Sequence, residues 1–274
     1  MKRLLSFFLF PLLISCSQFT SAQAGNTNML LFGSASGNAS FVDDFISSQA
    51  PVTLSAPAAY LGDTEWDVGP VTGGTTGTLT PTNGTFQNPG QILITTPATS
   101  GDGAYMFKTN LASAAALGVL GASSGWQLDF WIQTPATITN YGFKAGVVKV
   151  GFGNESSDSL LTGANVIEYD TANASASTDW TFLTVSAGNT NYSASSVVPA
   201  ASTWYHFRIS STTAGTISFQ IGAANGALGA ATNITTDVDT TSVMTPFIQL
   251  YPRSAAAVTV TIDRISYFAT TGRL

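Results

Sequence analysis

Residues 202–222, STWYHFRISSTTAGTISFQIG, contain two alternating apolar runs with a glycine between them. Successive side chains of a strand point to opposite faces, so each run predicts a strand with one face in a core. The two predicted strands are Trp204–Ser210 and Gly215–Ile221. The apolar positions of the two runs are Tyr205, Phe207, Ile209, Ile217, Phe219 and Ile221.

Similar β-branched and aromatic runs continue along the chain and are separated by Gly, Pro, Asn and Asp clusters. One short helix is predicted over Leu111–Leu120, an alanine-rich stretch that ends at Gly121. Strands without helical patterns between them predict an all-β antiparallel sandwich or barrel. The other predicted strands are Gln91–Thr95, Trp126–Gln133, Ala145–Phe152, Val166–Tyr169, Trp180–Val185, Pro246–Tyr251 and Val258–Phe268.

The N-terminus has the pattern of an export signal. Lys2 and Arg3 precede an apolar run over residues 4–14, and a small-x-small cleavage signal ends at Ala24. The run is too short to span a bilayer. The segment Leu-Ile-Ser-Cys that ends at Cys16 resembles a bacterial lipobox, so lipidation of Cys16 and cleavage after Ala24 remain alternatives.

These signals divide the chain into three parts. Residues 1–24 are predicted to be a signal peptide, residues 25–40 a flexible tether, and residues 41–274 one β-sandwich domain. The protein is therefore expected to be exported, and to be extracellular or at the cell surface. With a lipid on Cys16 it would be an outer-membrane lipoprotein, and that anchor is the only membrane contact expected.

The composition argues against several classes of protein. After residue 24, seven Lys and Arg stand against fifteen Asp and Glu, a net charge of −8 that would repel nucleic acid. Cys16 is the only cysteine and His206 the only histidine. Zinc sites and Cys-His dyads need several such groups together, so we expect a non-catalytic protein without catalytic residues.

Five segments together resemble the concanavalin A-like, laminin-G-like jelly-roll superfamily. In that superfamily a Trp-Tyr-x-hydrophobic-Arg strand precedes a hairpin, and the last hydrophobic-Asp-x-hydrophobic strand pairs near the N-terminal strand. The resemblance implies an antiparallel two-sheet jelly-roll sandwich. The segments are FVDDF (41–45), GWQLDFWIQ (125–133), GVVKVGF (146–152), residues 202–222 and TPFIQLYPRSAAAVTVTIDRISYF (245–268).

Non-catalytic variants with this segment order are familiar in phage virion and fibre proteins and in bacterial surface proteins. The resemblance therefore implies an exported module for surface attachment or carbohydrate binding, or a structural or adhesive component such as a virion or fibre domain. The expected partner is a glycan or a cell or virion surface. Edge strands of such sandwiches can pair between copies, so a homo-oligomer is left open.

The enzymes of the superfamily supply the alternative, a polysaccharide-degrading hydrolase or lyase. Laminarinase-like and agarase-like hydrolases carry a Glu-x-Asp-x-(x)-Glu strand. Here Glu65 with Asp67, and Glu168 with Asp170, supply the first two acids without the third. We interpret both pairs as solvated or hydrogen-bonded acids. Residues 141–146 are similar to the Tyr-Phe-Lys-Ala-Gly segment of alginate lyases, but they contain an inserted glycine and we interpret the match as accidental.

Alternation also predicts a polar face shared by three strands. Aromatic rings beside amide, carboxylate and guanidinium groups suit a sugar, whose C–H face stacks while its hydroxyls need hydrogen bonds. The face is therefore a predicted carbohydrate-binding or protein-contact surface; alternatively, the tryptophans are covered and the cations satisfy nearby carboxylates. Its residues are Trp131, Asp129, Trp204, His206, Arg208 and Gln220, with Gln127 beside them.

No cofactor is predicted, and calcium is left open. Relatives of this fold often hold calcium in loops at the rim of the sandwich. The main candidates are Asp237 and Asp239, although they lack the spacing of a dedicated calcium loop. The other candidates are Asp43, Asp44, Asp63, Glu65 and Asp67.

Overall fold

The computed structural model describes residues 38–43, 52–54, 59–61, 66–71, 77–82, 90–108, 125–149, 162–223, 227–242 and 244–270. Within these ranges the chain is built from strands and loops, without a helix that could cross a membrane. The predicted helix over residues 111–120, the signal peptide with Cys16, and residues 25–37 of the tether lie outside the described residues.

The strands of the described ranges pair antiparallel with their neighbours. In chain order they are β1 (Asn38–Asp43), β2 (Val52–Leu54), β3 (Ala59–Leu61), β4 (Trp66–Val71), β5 (Gly77–Thr82), β6 (Gln91–Thr95), β7 (Gly103–Lys108), β8 (Trp126–Gln133) and β9 (Tyr141–Lys149). They continue with β10 (Gly163–Asp170), β11 (Thr181–Ser186), β12 (Asn189–Ala194), β13 (Trp204–Thr213), β14 (Thr216–Gly222), β15 (Thr232–Ile234), β16 (Met244–Pro252) and β17 (Thr259–Thr270).

Two sheets form the predicted jelly-roll sandwich. Sheet A has the order β15-β14-β13-β8-β17-β6-β5-β2, with β1 beside the second half of β17. Sheet B has the order β12-β11-β10-β9-β16-β7-β4-β3. The expected pairing of the FVDDF segment with the last strand is confirmed, with Asp43 opposite Ile265. The strand begins at Asn38, three residues before the predicted domain start at Phe41.

The main core lies between the sheets and contains the predicted apolar positions of β8, β13 and β14. Phe130 and Phe207 are opposite each other in adjacent strands, and both are fully buried. Phe182 of sheet B stacks on Phe219 of sheet A, with ring centroids 4.9 Å apart. Trp180 contacts Phe207 edge-on at 4.8 Å. Aromatic side chains therefore join the two sheets across the core.

Several strands differ from the sequence prediction, and β2, β3, β4, β5, β7 and β15 were not predicted. β9 begins at Tyr141 rather than Ala145, because Gly142 and Lys144 are paired within the sheet on both sides. β12 was not predicted at all, since its NTNYSA sequence has no apolar alternation. It forms through a tight turn from β11, in which Ala187 and Gly188 have φ of 51° and 86°. Two successive positive φ values are typical of the hairpin turns that match strand twist.

Sheet B also carries buried groups on the face that points away from the main core. A second apolar cluster lies there and includes Val166, Leu183 and Phe247. In the next row of the same face, the Tyr251 ring lies against the backbone of Gly142, where a Cβ atom would overlap the ring. Glycine at position 142 therefore allows a large ring to lie flat on the sheet.

We expect Gly142→Ala to destabilise the protein by about 2 kcal/mol, because the added methyl group overpacks the Tyr251 ring. Urea unfolding measures the loss. The double-mutant cycle with Tyr251→Ala is the control, because the overlap needs both side chains. An equal cost of Gly142→Ala with and without the Tyr251 ring would contradict this packing.

Candidate functional site

The register of sheet A brings the predicted polar residues onto one surface. Arg208 is opposite Asp129 on one side and Gln220 on the other, and His206 is opposite Trp131. β17 adds Arg264 next to Trp131. We call this surface the Asp129 face, and its members are Gln127, Asp129, Trp131, Trp204, His206, Arg208, Gln220 and Arg264.

Asp129 contacts three polar side chains of this surface and is only 3% exposed. Its Oδ1 is 2.7 Å from His206 Nε2 and accepts a hydrogen bond from Arg208 Nε, also at 2.7 Å. Its Oδ2 accepts a bond from Gln127 Nε2 at 2.6 Å. Burial alone would raise the pKa of Asp129, but these hydrogen bonds and the Arg208 charge outweigh it and hold the pKa below its ordinary value. The carboxylate is therefore ionised at neutral pH and holds its partners in place.

The Trp131 ring stands between side chains from the two flanking strands. The His206 ring is stacked on it with centroids 4.0 Å apart and an interplanar angle of 18°. The Arg264 guanidinium carbon is 5.2 Å from the centroid of the Trp131 ring. His206 and Arg264 come from strands on opposite sides of β8, so they cover the two faces of the Trp131 ring. The ring is half-buried, and its edge is the part left for solvent.

The other two predicted residues lie at the margins of the cluster. Trp204 is half-buried at the start of β13, opposite Gln133, and stacks on no ring in the described part of the chain. Gln220 donates its amide to the carbonyl oxygen of Gly229 at 2.9 Å rather than to Asp129. Asp129, Trp131, His206 and Arg208 thus form the connected group, with Trp204 as a separate ring on the same strand.

A second network, which the sequence did not predict, lies on the outer face of sheet B. Lys144 Nζ donates to the Tyr251 hydroxyl and lies 3.7 Å from Glu168 Oε1. The Tyr251 hydroxyl is 3.4 Å from Asp170 Oδ2. Arg253 pairs with both oxygens of Asp170, through Nε at 2.8 Å and through Nη2. We call these five residues the Lys144 network. Only Glu168 and Tyr251 of the five fall within predicted strands, so no alternating pattern in the sequence marked the network.

The interpretation of Glu168 and Asp170 needs one correction. The prediction that Glu168 and Asp170 are solvated is wrong, since they are 2% and 3% exposed and each contacts a cation. The alternative prediction, a hydrogen-bonded acid, is right for Asp170. The position of the third acid in a hydrolase motif is taken by Asn173, in a turn after β10, where its Oδ1 accepts a bond from Ser175 N. The side chains of Glu65 and Asp67 lie outside the described residues.

Of the proposed calcium pair, Asp239 is engaged by its own loop. Asp239 Oδ1 accepts hydrogen bonds from Thr241 N, Thr241 Oγ1 and Ser242 N at 2.9–3.1 Å, which order the loop after β15. Burial raises the pKa of Asp239, but these bonds outweigh it and the net shift is downward. Among the residues that the structure describes, no group of three His, Cys, Asp or Glu could hold a metal ion. The side chains of Asp43, Asp44 and Asp63 lie outside those residues.

We expect Asp129→Asn to lower the free energy of unfolding by about 2 kcal/mol near neutral pH, because it removes charge-assisted hydrogen bonds. The folded pKa of Asp129 lies below 3.8, so this stability is complete above the unfolded pKa and is lost as pH falls through the folded pKa. Urea unfolding at neutral pH and below pH 3.8 should show the gap between the two proteins narrowing in acid. A gap that is equal at both pH values would contradict the assignment.

Comparison with known proteins supports the fold. Neither a protein-family model nor a curated protein sequence matches the chain. A solved protein of unknown function, SO2946 from Shewanella oneidensis MR-1, matches with a TM-score of 0.57 and 12% identity, over 88% of this chain and 92% of that one.

Two further solved structures are similar. Rv0315 of Mycobacterium tuberculosis, described as an immunostimulatory antigen and pseudo β-1,3-glucanase, matches with a TM-score of 0.50 and 11% identity, over 84% of this chain and 98% of that one. The exoplasmic/lumenal domain of VIP36, in its Ca²⁺/Man2-bound form, has a TM-score of 0.48 and 8% identity, over 81% and 89%. At such identities the likeness concerns the fold alone. The chain has the concanavalin A-like jelly-roll fold.

Proposed function

We propose that the chain is an exported, non-catalytic carbohydrate-binding module that binds its ligand on the Asp129 face. The observation that carries the proposal is the buried Asp129 carboxylate, which fixes His206 and Arg208 beside half-buried tryptophans. Polar groups that are held in place before a ligand arrives lose little conformational entropy on binding. Fixed hydrogen-bonding groups next to an aromatic surface are what a sugar requires.

β13 supplies the axis of the proposed site. Trp204, His206 and Arg208 occupy every second position, so Trp204 and Arg208 are about 13 Å apart along the strand. The Trp204 ring is half-buried and is the surface on which we place a sugar ring. The Trp131 edge lies between these two positions, opposite His206. A glycan of a few units could therefore contact both ends of the site.

The environment of Asp129 supports binding rather than catalysis. Glycosidases use two carboxyl groups, placed on either side of the scissile bond. Asp129 is buried and both of its oxygens already accept hydrogen bonds from protein groups. It is therefore placed to position its neighbours, and not to attack or protonate a substrate.

We expect the double variant Trp131→Ala, Trp204→Ala to lose retention on a glycan array that includes β-1,3-glucan, because the aromatic surface is removed. Thermal unfolding should show that the variant still folds, since both rings are only half-buried. Tyr192→Ala is the matched control: Tyr192 is a 40% exposed aromatic residue on β12 of the other sheet. Unchanged retention of the double variant, or an equal loss in the control, would contradict the proposal.

The Lys144 network favours a second candidate function, a glycan-degrading activity on the outer face of sheet B. The Tyr251 hydroxyl lies between the Lys144 ammonium and the Asp170 carboxylate, and a phenol in such a position can exchange protons with a substrate. Glu168 is the second acid of the same face. Tyr251, Asp170 and Glu168 are all buried, so this function also requires the ligand to reach the network.

If the second candidate is right, the wild-type chain should release reducing ends or unsaturated products from a polysaccharide, and Tyr251→Phe should reduce that rate at least a hundredfold. Glu168→Gln tests the acid in the same assay. Unfolding curves show whether the variants are intact. Absence of product from wild-type protein that binds the same polysaccharide would reject this candidate and leave the binding module.

A further inference from the structure

We infer that the ligand of the Asp129 face is an acidic glycan whose carboxylate or sulfate group is bound by Arg208. In this arrangement the acidic group lies about 13 Å from the sugar ring that stacks on Trp204. The inference rests on the proposed function and specifies its ligand class.

The first reason is the geometry of Arg208. Its Nε donates to Asp129 Oδ1 at 2.7 Å, and its side chain is 29% exposed. Within the described ranges, its two Nη nitrogens make no hydrogen bond. Because a guanidinium is planar, fixing Nε also fixes the direction of the Nη pair. That pair is the fork that binds carboxylate or sulfate oxygens through two parallel hydrogen bonds.

The second reason is the type of hydrogen bond that the surface still offers. Arginine and tryptophan side chains donate and do not accept. The amide nitrogens of Gln127 and Gln220 are already committed, to Asp129 Oδ2 and to the Gly229 carbonyl oxygen. A neutral sugar hydroxyl must both donate and accept, whereas a carboxylate or sulfate only accepts. The amide oxygens of Gln127 and Gln220 can still accept from sugar hydroxyls, but Arg208 offers donors alone, and these match an acidic group better than a hydroxyl.

The third reason is the distribution of charge. The full chain has nine Lys and Arg against fifteen Asp and Glu, yet Arg208 and Arg264 lie on this one surface. Asp129 is 3% exposed, so guanidinium groups and not its carboxylate meet the solvent. Arg264 has Asp263 next to it, at the β17 bulge. Arg208 pairs with Asp129 through Nε, which leaves its outward Nη pair as the anchor.

The test measures binding of the purified chain to three probes: oligogalacturonate for carboxylate, a sulfated galactan oligosaccharide for sulfate, and a neutral β-1,3-glucan oligosaccharide. We expect binding to at least one acidic probe, weaker at high salt because the contact is ionic. Arg208→Gln should weaken that binding at least tenfold. Arg208→Lys should recover part of it, since it keeps the charge without the fork.

The control variant is Lys149→Gln, which removes the same charge from the end of β9 on the other sheet. Acidic binding that is lost with Arg208→Gln and kept with Lys149→Gln supports the inference. Binding of the neutral probe alone, lost with Trp204→Ala and insensitive to salt and to Arg208→Gln, would overturn the inference while the proposed function stands. Binding of none of the probes, nor of any glycan on the array, would overturn both.

Discussion

The pairing register between β8 and β13 is the constraint on which the core and the candidate site both depend. It places Phe130 opposite Phe207 in the core and, one residue away, Asp129 opposite Arg208 on the outside. A slip of one residue would turn every side chain of a strand to the other face, moving a carboxylate into the core and aromatic rings into solvent. The apolar face therefore holds the polar face in register, and the geometry of the site is a consequence of core packing.

The protein has few charged residues, at 9% of the chain, and it groups several of them in two networks. On sheet A, the buried Asp129 contacts His206 and the partly exposed Arg208. On sheet B, Lys144 and Arg253 contact carboxylates within a buried surface. Buried ion pairs add little net stability compared with apolar packing, so they are better understood as groups that specify geometry. The Arg208 side chain is 29% exposed against 16% for Arg253, so the sheet A network offers more of a guanidinium to a ligand.

The Lys144 network joins two segments that were each compared with an enzyme motif. The similarity of residues 141–146 to a lyase segment was interpreted as accidental, and Glu168 with Asp170 as an incomplete hydrolase motif. In the structure these segments are adjacent strands whose side chains contact one another. Gly142 leaves room for the Tyr251 ring, and Lys144 connects that ring to Glu168. The contacts on their shared face pack the sheet, and the fold by itself does not imply that these residues carry an activity.

The amino-acid sequence by itself determined the strand class, the two faces of β8, β13 and β14, and the residues that those three strands give to the Asp129 face, because alternation is a local property of the chain. It could not determine β12 or the start of β9, whose residues lack alternation and are ordered by their neighbours. Tertiary structure alone decided that Trp131 is enclosed by His206 and Arg264, that Gln220 turns to Gly229, and that the Lys144 network exists. Those contacts join residues far apart in sequence, and strand order and register bring them together.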